Sequence, residues 1–331
     1  MNPGKGSLQD SFGRKHTYLR VSVTDRCNFR CTYCMPEEGL EWLDRKELLS
    51  YEEIVRLVGL FVKTGISRVR ITGGEPTIRR DLPRLVEGLA ACDGLDDLSM
   101  TTNAQQLDGM VEALAAAGLN RLNVSLDSLD SERFSRLTRG GDLDRVLRGI
   151  QAALAAGLSP VKINAVVLQG ENEDDLEPLV HWASQNPDQI QLRFIEYMPF
   201  ETRWHRCVPG ARLRERLSES WSLVPVEQVF GGGPAQHWRV AETGLIVGFI
   251  SPLSERFCGS CNRLRLSADG HLRTCLSDDG TPSLREPMRA GESDAQLIDR
   301  IRAMVAGKRE GHGCEVEGGR PFEGVMTRVG G

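Results

Sequence analysis

The chain has 331 residues, enough for one large α/β domain or two smaller ones around a sizeable core. Its 40% hydrophobic and 26% charged content is that of a globular protein, and a net charge of −5 excludes a global basic field for gripping nucleic acid. No run approaches 18 apolar residues and Met1 to Arg14 lack an apolar core, so no membrane helix or secretory signal is expected, and the chain reads as cytoplasmic.

In chain order, Tyr18–Val23 predicts a first strand. It runs into a loop that places three thiols within eight residues, Cys27-x3-Cys31-x2-Cys34. Tyr51–Lys63 predicts an amphipathic helix with Ser50 as N-cap and Glu53 completing a capping box. Arg68–Ile71 is a short strand ending in Thr72-Gly73-Gly74-Glu75-Pro76, followed by a helix over Leu82–Ala91. Leu98–Thr102 is a strand ending in Asn103, and Leu107–Ala116 a helix closed by Gly118. Arg121–Leu126 (strand), Ser131–Leu137 and Leu143–Ala155 (helices), Val161–Val167 (strand), Glu173–Ala183 (helix) and Ile190–Ile195 (strand) continue the alternation.

Strands alternating with helices imply a parallel sheet with right-handed crossovers. No Gly-x-Gly-x-x-Gly follows the first strand, so an incomplete (β/α)6 barrel is favoured over a dinucleotide-binding sheet. Functional groups then collect at the C-terminal ends of the strands, where the Cys27 loop, the Gly73 loop, Asn103, Asp127 and Met198 fall. From about Phe200 the pattern changes to α+β. Arg212–Ser220 reads as a helix, His237–Val240 with Leu245–Ile250 and Asn262–Ser267 with His271–Cys275 as hairpins, and Ser293–Ala306 as a last helix. The expected division is a barrel over residues 1–200 and a C-terminal region over 201–331.

In a reducing compartment, nine cysteines point to metal or catalytic use rather than disulfides. Three thiolates on a four-iron cluster leave one iron open to a ligand, whereas a structural zinc takes four ligands. A second triplet, Cys258-x2-Cys261-x13-Cys275, is brought together by the second hairpin. A zinc knuckle with a fourth ligand from His205, His237 or His271 is the alternative there. Cys92, Cys207 and Cys314 are left as ordinary cysteines. The two glycines at 73 and 74 permit either a plain tight turn or close approach to a ligand, and Glu75 offers an acceptor to a cationic amine. Arg263 and Arg265, two apart on a strand, share a face beside the second triplet. Arg20, Arg70, Lys162 and Arg193 lie on barrel strands, where a cation is costly unless it lines a cavity, so a polyanionic ligand is expected inside.

The first cysteine motif with Tyr33, followed by Gly73-Gly74-Glu75-Pro76, resembles the radical S-adenosylmethionine superfamily. The second triplet with Arg263, Arg265 and the terminal Gly330-Gly331 is similar, over almost the whole chain, to its GTP 3′,8-cyclase family. The resemblance implies a partial barrel closed by the C-terminal region and two [4Fe–4S] clusters, on Cys27, Cys31 and Cys34 and on Cys258, Cys261 and Cys275. It places S-adenosylmethionine at Tyr33, Gly74, Ser125 and Met198. It places GTP at Arg20, Arg70, Thr101, Lys162, Arg193, Arg263 and Arg265, and brings Gly330 and Gly331 into the active site. A 5′-deoxyadenosyl radical would take the C3′ hydrogen of GTP, and C3′ would close on C8 as the first step of molybdenum cofactor biosynthesis. An electron donor, a homodimer and hand-over to the next enzyme are further expectations. Ala104 stands where family members often have glycine. A peptide-modifying radical enzyme with an auxiliary cluster and a non-catalytic zinc module are the competing readings.

Overall fold

The computed structural model describes residues 7–199, 204–227, 233–278 and 281–314. Six strands, β1 (Tyr18–Ser22), β2 (Arg68–Thr72), β3 (Asp97–Thr102), β4 (Arg121–Ser125), β5 (Val161–Val167) and β6 (Ile190–Glu196), lie parallel in sequence order. Between them run α1 (Tyr51–Lys63), α2 (Leu82–Ala90), α3 (Val111–Ala116), α4 (Ser131–Thr138), α5 (Leu143–Ala155) and α6 (Leu176–Ala183). The C-terminal part adds α7 (Gly210–Ser218), β7 (Leu223–Val226), β8 (Gln236–Val240), β9 (Ile246–Ile250), β10 (Arg263–Leu266), β11 (Leu272–Arg273), α8 (Arg285–Arg289) and α9 (Asp294–Ala306).

Those later strands extend the same sheet at both edges. β10 pairs parallel to β1 and β9 parallel to β6, giving the order β11-β10-β1-β2-β3-β4-β5-β6-β9-β8-β7. Among the described residues the edge strands β11 and β7 do not pair, so the barrel is open.

Alternate residues divide the sheet into two chemistries. Leu19, Val21, Val69, Ile71, Leu98, Met100, Leu122, Val124, Ile163 and Leu192 face the helices and are buried in one apolar core. Most parallel strands are apolar on both faces. Here the inner face carries Tyr18, Arg20, Arg70, Thr101, Lys162 and Arg193, which is possible only because it lines a cavity.

The predicted capping box forms at α1, and a second one forms at α9. Ser50 Oγ accepts from Glu53 N–H while Glu53 accepts from Ser50 N–H, and Ser293 and Gln296 repeat the exchange at α9. Elsewhere the elements differ from expectation. α3 starts at Val111 rather than Leu107, because Ala104 sits at φ 60° and residues 104–110 form turns. The expected helix over Glu173–Ala183 opens with a 3₁₀ turn at Glu173–Asp175. β7 and α8 were not anticipated, since Pro225 and Pro287 interrupt their patterns. Proline is tolerated in β7 because it is an edge strand.

Candidate active site

A cavity of about 320 Å³ fills the barrel interior. The sheet register sets its charge. Arg265, Arg20 and Arg70 are partners on three adjacent strands, followed in the same row by Ser99 and Arg121. A second row runs Ser125, Asn164, Arg193, Gly248, His237. A Cβ on Gly248 would stand 3.3 Å from His237 and 3.4 Å from Arg193, so glycine leaves these side chains their room.

Arg121 is matched by Asp97, bonding both carboxylate oxygens. Much of the remaining polar lining lacks such a match. Tyr18 Oη, Arg20 Nε, Thr72 Oγ1, Thr101 Oγ1, Asn164 Oδ1 and Arg193 Nε are buried without a hydrogen-bond partner among the described residues. Burial, then repulsion from Arg265, Arg70 and Arg263, pushes Arg20 well below the ordinary arginine value. Burial and Arg70 bring Arg193 down to about 9, and burial and Arg263 bring Arg265 to about 10. Lys162 falls to about 6 through burial, then Arg193, Arg121 and Arg70. A guanidinium does not surrender its proton, so these directions register burial first and mutual repulsion among the cations second. The chamber is built for a multiply charged anion.

The first cysteine loop closes one end of the chamber. It is anchored on the C-terminus of α4, where Thr32 N–H donates to Leu137 O (2.9 Å) and Arg30 N–H to Thr138 O (3.0 Å). Phe29 packs edge-on against Phe134, with ring centroids 6.0 Å apart. The Gly73-Gly74 loop braces the other side. Gly74 N–H donates to Thr24 O at 2.7 Å and Glu75 N–H to Arg26 O at 2.8 Å. A Cβ on Gly74 would lie 2.1 Å from Arg26 O. These glycines are therefore required first by the chain's own backbone, and Gly74 also borders the cavity.

Glu75 departs from the expectation of a free acceptor. Its Oε1 accepts from Thr77 N–H, Thr77 Oγ1 and Thr102 Oγ1, and its Oε2 from Asn103 N–H. It pins the Gly73 loop to the end of β3. Tyr33 Oη donates to Asp127 Oδ2 at 2.6 Å, and Val166 N–H donates to Asp127 Oδ1.

The thiols of this loop suit a cationic metal centre. Burial, then Glu75, pushes Cys27 up to about 12, and burial, then Cys34 and Asp127, pushes Cys31 well up. Thiolates so placed need a positive partner, which a metal cluster supplies. Among the described residues no three His, Cys, Asp or Glu side chains are placed to grip a single metal ion. The thiolates that hold a four-iron cluster ligate separate irons, whereas those of a structural zinc converge on one ion.

The second triplet lies around the β10–β11 hairpin and borders the cavity through Phe257, Arg263, Arg265 and Leu276. Burial alone would raise Cys261, but Arg263 and Lys308 outweigh it and bring the thiol down to about 7. His237 is buried beside Arg193 and Lys162, His271 pairs with Asp269 at 3.1 Å, and His205 lies in a 3₁₀ turn. Tyr33, Gly74, Ser125 and Met198 line the same cavity as Arg20, Arg70, Thr101, Lys162, Arg193, Arg263 and Arg265. Gly330 and Gly331 lie outside the described residues. Sequence reasoning passed over Tyr18, Thr72 and Asn164, which share the inner face by two-residue spacing; a search confined to cations on strands misses neutral polar groups. It also passed over Arg14 and Lys308, which carry no local motif.

The Radical SAM superfamily profile matches residues 21–183, and Molybdenum Cofactor Synthesis C matches residues 190–314. A Listeria monocytogenes protein named GTP 3′,8-cyclase is 42% identical over 98% of this chain and 99% of its own length. This chain belongs to the GTP 3′,8-cyclase family. Another GTP 3′,8-cyclase, from Paracoccus denitrificans, is 47% identical over 92% of this chain and 89% of its own length. Among solved structures, Streptococcus suis SuiB bound to S-adenosylmethionine superposes with a TM-score of 0.62 at 17% identity. That match covers 89% of this chain and 66% of SuiB, and it establishes a shared fold. As a radical S-adenosylmethionine protein, the GTP 3′,8-cyclase family member described here takes an iron–sulfur cluster and S-adenosylmethionine. No helix among its described residues is long and apolar enough to cross a membrane.

Proposed function

We propose that this chain converts GTP to (8S)-3′,8-cyclo-7,8-dihydroguanosine 5′-triphosphate, the first step of molybdenum cofactor biosynthesis. The observation that carries this reading is the arginine row inside a chamber bordered by three half-buried cysteines. A triphosphate meets that potential, and the unpartnered Tyr18, Thr101 and Asn164 supply neutral contacts. A peptide substrate would leave the row uncompensated, which disfavours a peptide-modifying enzyme.

In this reading Cys27, Cys31 and Cys34 hold the first [4Fe–4S] cluster, and Tyr33, Gly74, Ser125 and Met198 surround S-adenosylmethionine. When bound, these would supply a 5′-deoxyadenosyl radical able to take the C3′ hydrogen, using one electron from an external donor and releasing methionine. The chain's part is to fix GTP so that C3′ faces that radical and C8 faces C3′. Arg20, Arg70, Lys162 and Arg193 hold the charged tail within the barrel, with Thr101 beside them. Arg263 and Arg265 project from β10 toward the base end, beside the second triplet. Cys258, Cys261 and Cys275 hold a second [4Fe–4S] cluster, a role supported by the cationic surroundings of Cys261. Enclosure within the barrel would shield the radical from side reactions. We further infer a barrel over 1–200 and a cluster-bearing region over 201–331, with Gly330 and Gly331 completing the site. An external electron donor, cytoplasmic action as a homodimer and hand-over to the next enzyme complete the proposal.

Anaerobic enzyme reconstituted with iron and sulfide should carry about eight irons per chain. It should consume GTP and release 5′-deoxyadenosine when given S-adenosylmethionine and a reductant. Unchanged GTP, with 5′-deoxyadenosine at background, would sink the reading. Cys258→Ala should retain about four irons and lose cyclisation; a variant that still cyclises GTP removes the second cluster from the chemistry.

A further inference from the structure

Lys308 follows the last turn of α9 and is buried, with 3% of its surface exposed. Its Nζ donates to Arg263 O at 2.9 Å and contacts Cys261 Sγ at 3.6 Å, within hydrogen-bonding range for sulfur. The backbone on either side is fixed. Lys308 N–H closes on Val305 O at 3.0 Å. Beyond it, Arg14 Nη2 donates to Arg309 O (2.7 Å), while Arg14 Nη1 donates to Glu310 O (2.6 Å) and Cys258 O (2.9 Å). One guanidinium thus ties the segment bearing Lys308 to the first cysteine of the second triplet.

Charge bookkeeping singles out the lysine. Arg14 is matched by Asp10, at 2.6 Å. No carboxylate pairs with Lys308 among the described residues, yet a buried ammonium needs an anionic partner. The acceptors it has are one carbonyl and one cysteine sulfur. Hydrogen bonds and positive charge at ligating sulfurs stabilise the reduced cluster, which carries the extra negative charge.

We propose that Lys308 tunes the second cluster: its ammonium hydrogen-bonds the Cys261 sulfur and raises that cluster's reduction potential. The proposal rests on the second triplet holding a [4Fe–4S] cluster. It makes Lys308 a positioning residue acting through Cys261, with no contact to substrate required.

The test is a redox titration of the reconstituted holoenzyme followed by electron paramagnetic resonance, with Lys308→Met and Lys308→Arg beside wild type. The second cluster's midpoint should move to lower potential in Lys308→Met and return toward wild type in Lys308→Arg, with the first cluster unmoved. About eight irons per chain with an unchanged second midpoint in Lys308→Met overturns the role of Lys308 alone. About four irons in wild type overturns the two-cluster reading and this proposal with it. Should Lys308→Met fail to fold, wild-type enzyme labelled with 15N-lysine decides. A 15N coupling to the second cluster supports the proposal, and its absence overturns it.

Discussion

Gly74 is where one atom decides whether the first cysteine loop can form. Its missing Cβ is what lets Gly74 N–H reach Thr24 O, and a methyl there would meet Arg26 O at 2.1 Å. Gly74→Ala should therefore destabilise the ligand-free protein by about 1–3 kcal/mol in denaturant titration. It should also halve the iron recovered per chain, because the displaced backbone leads directly into Cys27; full iron loading would show that the loop tolerates the shift. Lys162 makes a different kind of prediction. Its folded value is about 6, against 10.5 in the unfolded chain. Between those values the unfolded chain binds the extra proton, so the stability of the ligand-free protein should rise with pH across that window. Lys162→Met should flatten this part of the profile. A bound triphosphate reverses the balance by favouring the ammonium, so binding near about pH 8 should take up roughly one proton per GTP. Calorimetry in buffers of different ionisation enthalpy measures this directly, and heats independent of buffer would refute it.

At the scale of elements, the row Arg265–Arg20–Arg70 belongs to β10, β1 and β2 together and to none of them alone. Arg20→Met relieves like-charge crowding and a buried, partnerless Nε. The variant should melt at or above the wild-type temperature without ligand while binding GTP about 10- to 100-fold more weakly. Loss of stability instead would mean that Arg20 serves the fold. Such buried arginines could be recognised in the sequence because a cation amid Leu19 and Val21 has no cheap alternative. The capping serines and six parallel strands were likewise legible, since caps and periodicity are local signals. What local signals do not contain is strand order. Nothing within Arg263–Leu266 announces that it inserts beside Tyr18–Ser22, and the two-residue spacing of Arg263 and Arg265 gave their common face but not their neighbours. Lys308 stayed hidden for the same reason: its partner Cys261 lies 47 residues away.

For the whole molecule, the sheet makes the C-terminal strands structural partners of the barrel. β10 covers the edge of β1, and β9 that of β6. A chain ending at Met198 would expose the backbone of both edges together with the apolar flank that β9 and β10 bury, a known route to aggregation. Expressed alone, residues 7–198 should fail to give a monomer on size exclusion, whereas a well-behaved monomer would mean that the six strands are self-sufficient.

The pairing of β10 with β1 also sets a schedule for synthesis. Asn262 Nδ2 reaches Thr17 Oγ1 across 245 residues. At ordinary elongation speeds β1 leaves the ribosome roughly 12–50 s before its neighbour is made. Throughout that interval the Cys27 loop is already outside while the wall formed by β10 is absent. In the proposed reading, iron and sulfide would be able to reach the first three thiols on the nascent chain before β10 is in place. In a cell short of iron, the same interval leaves a bare strand edge and three unligated cysteines exposed together.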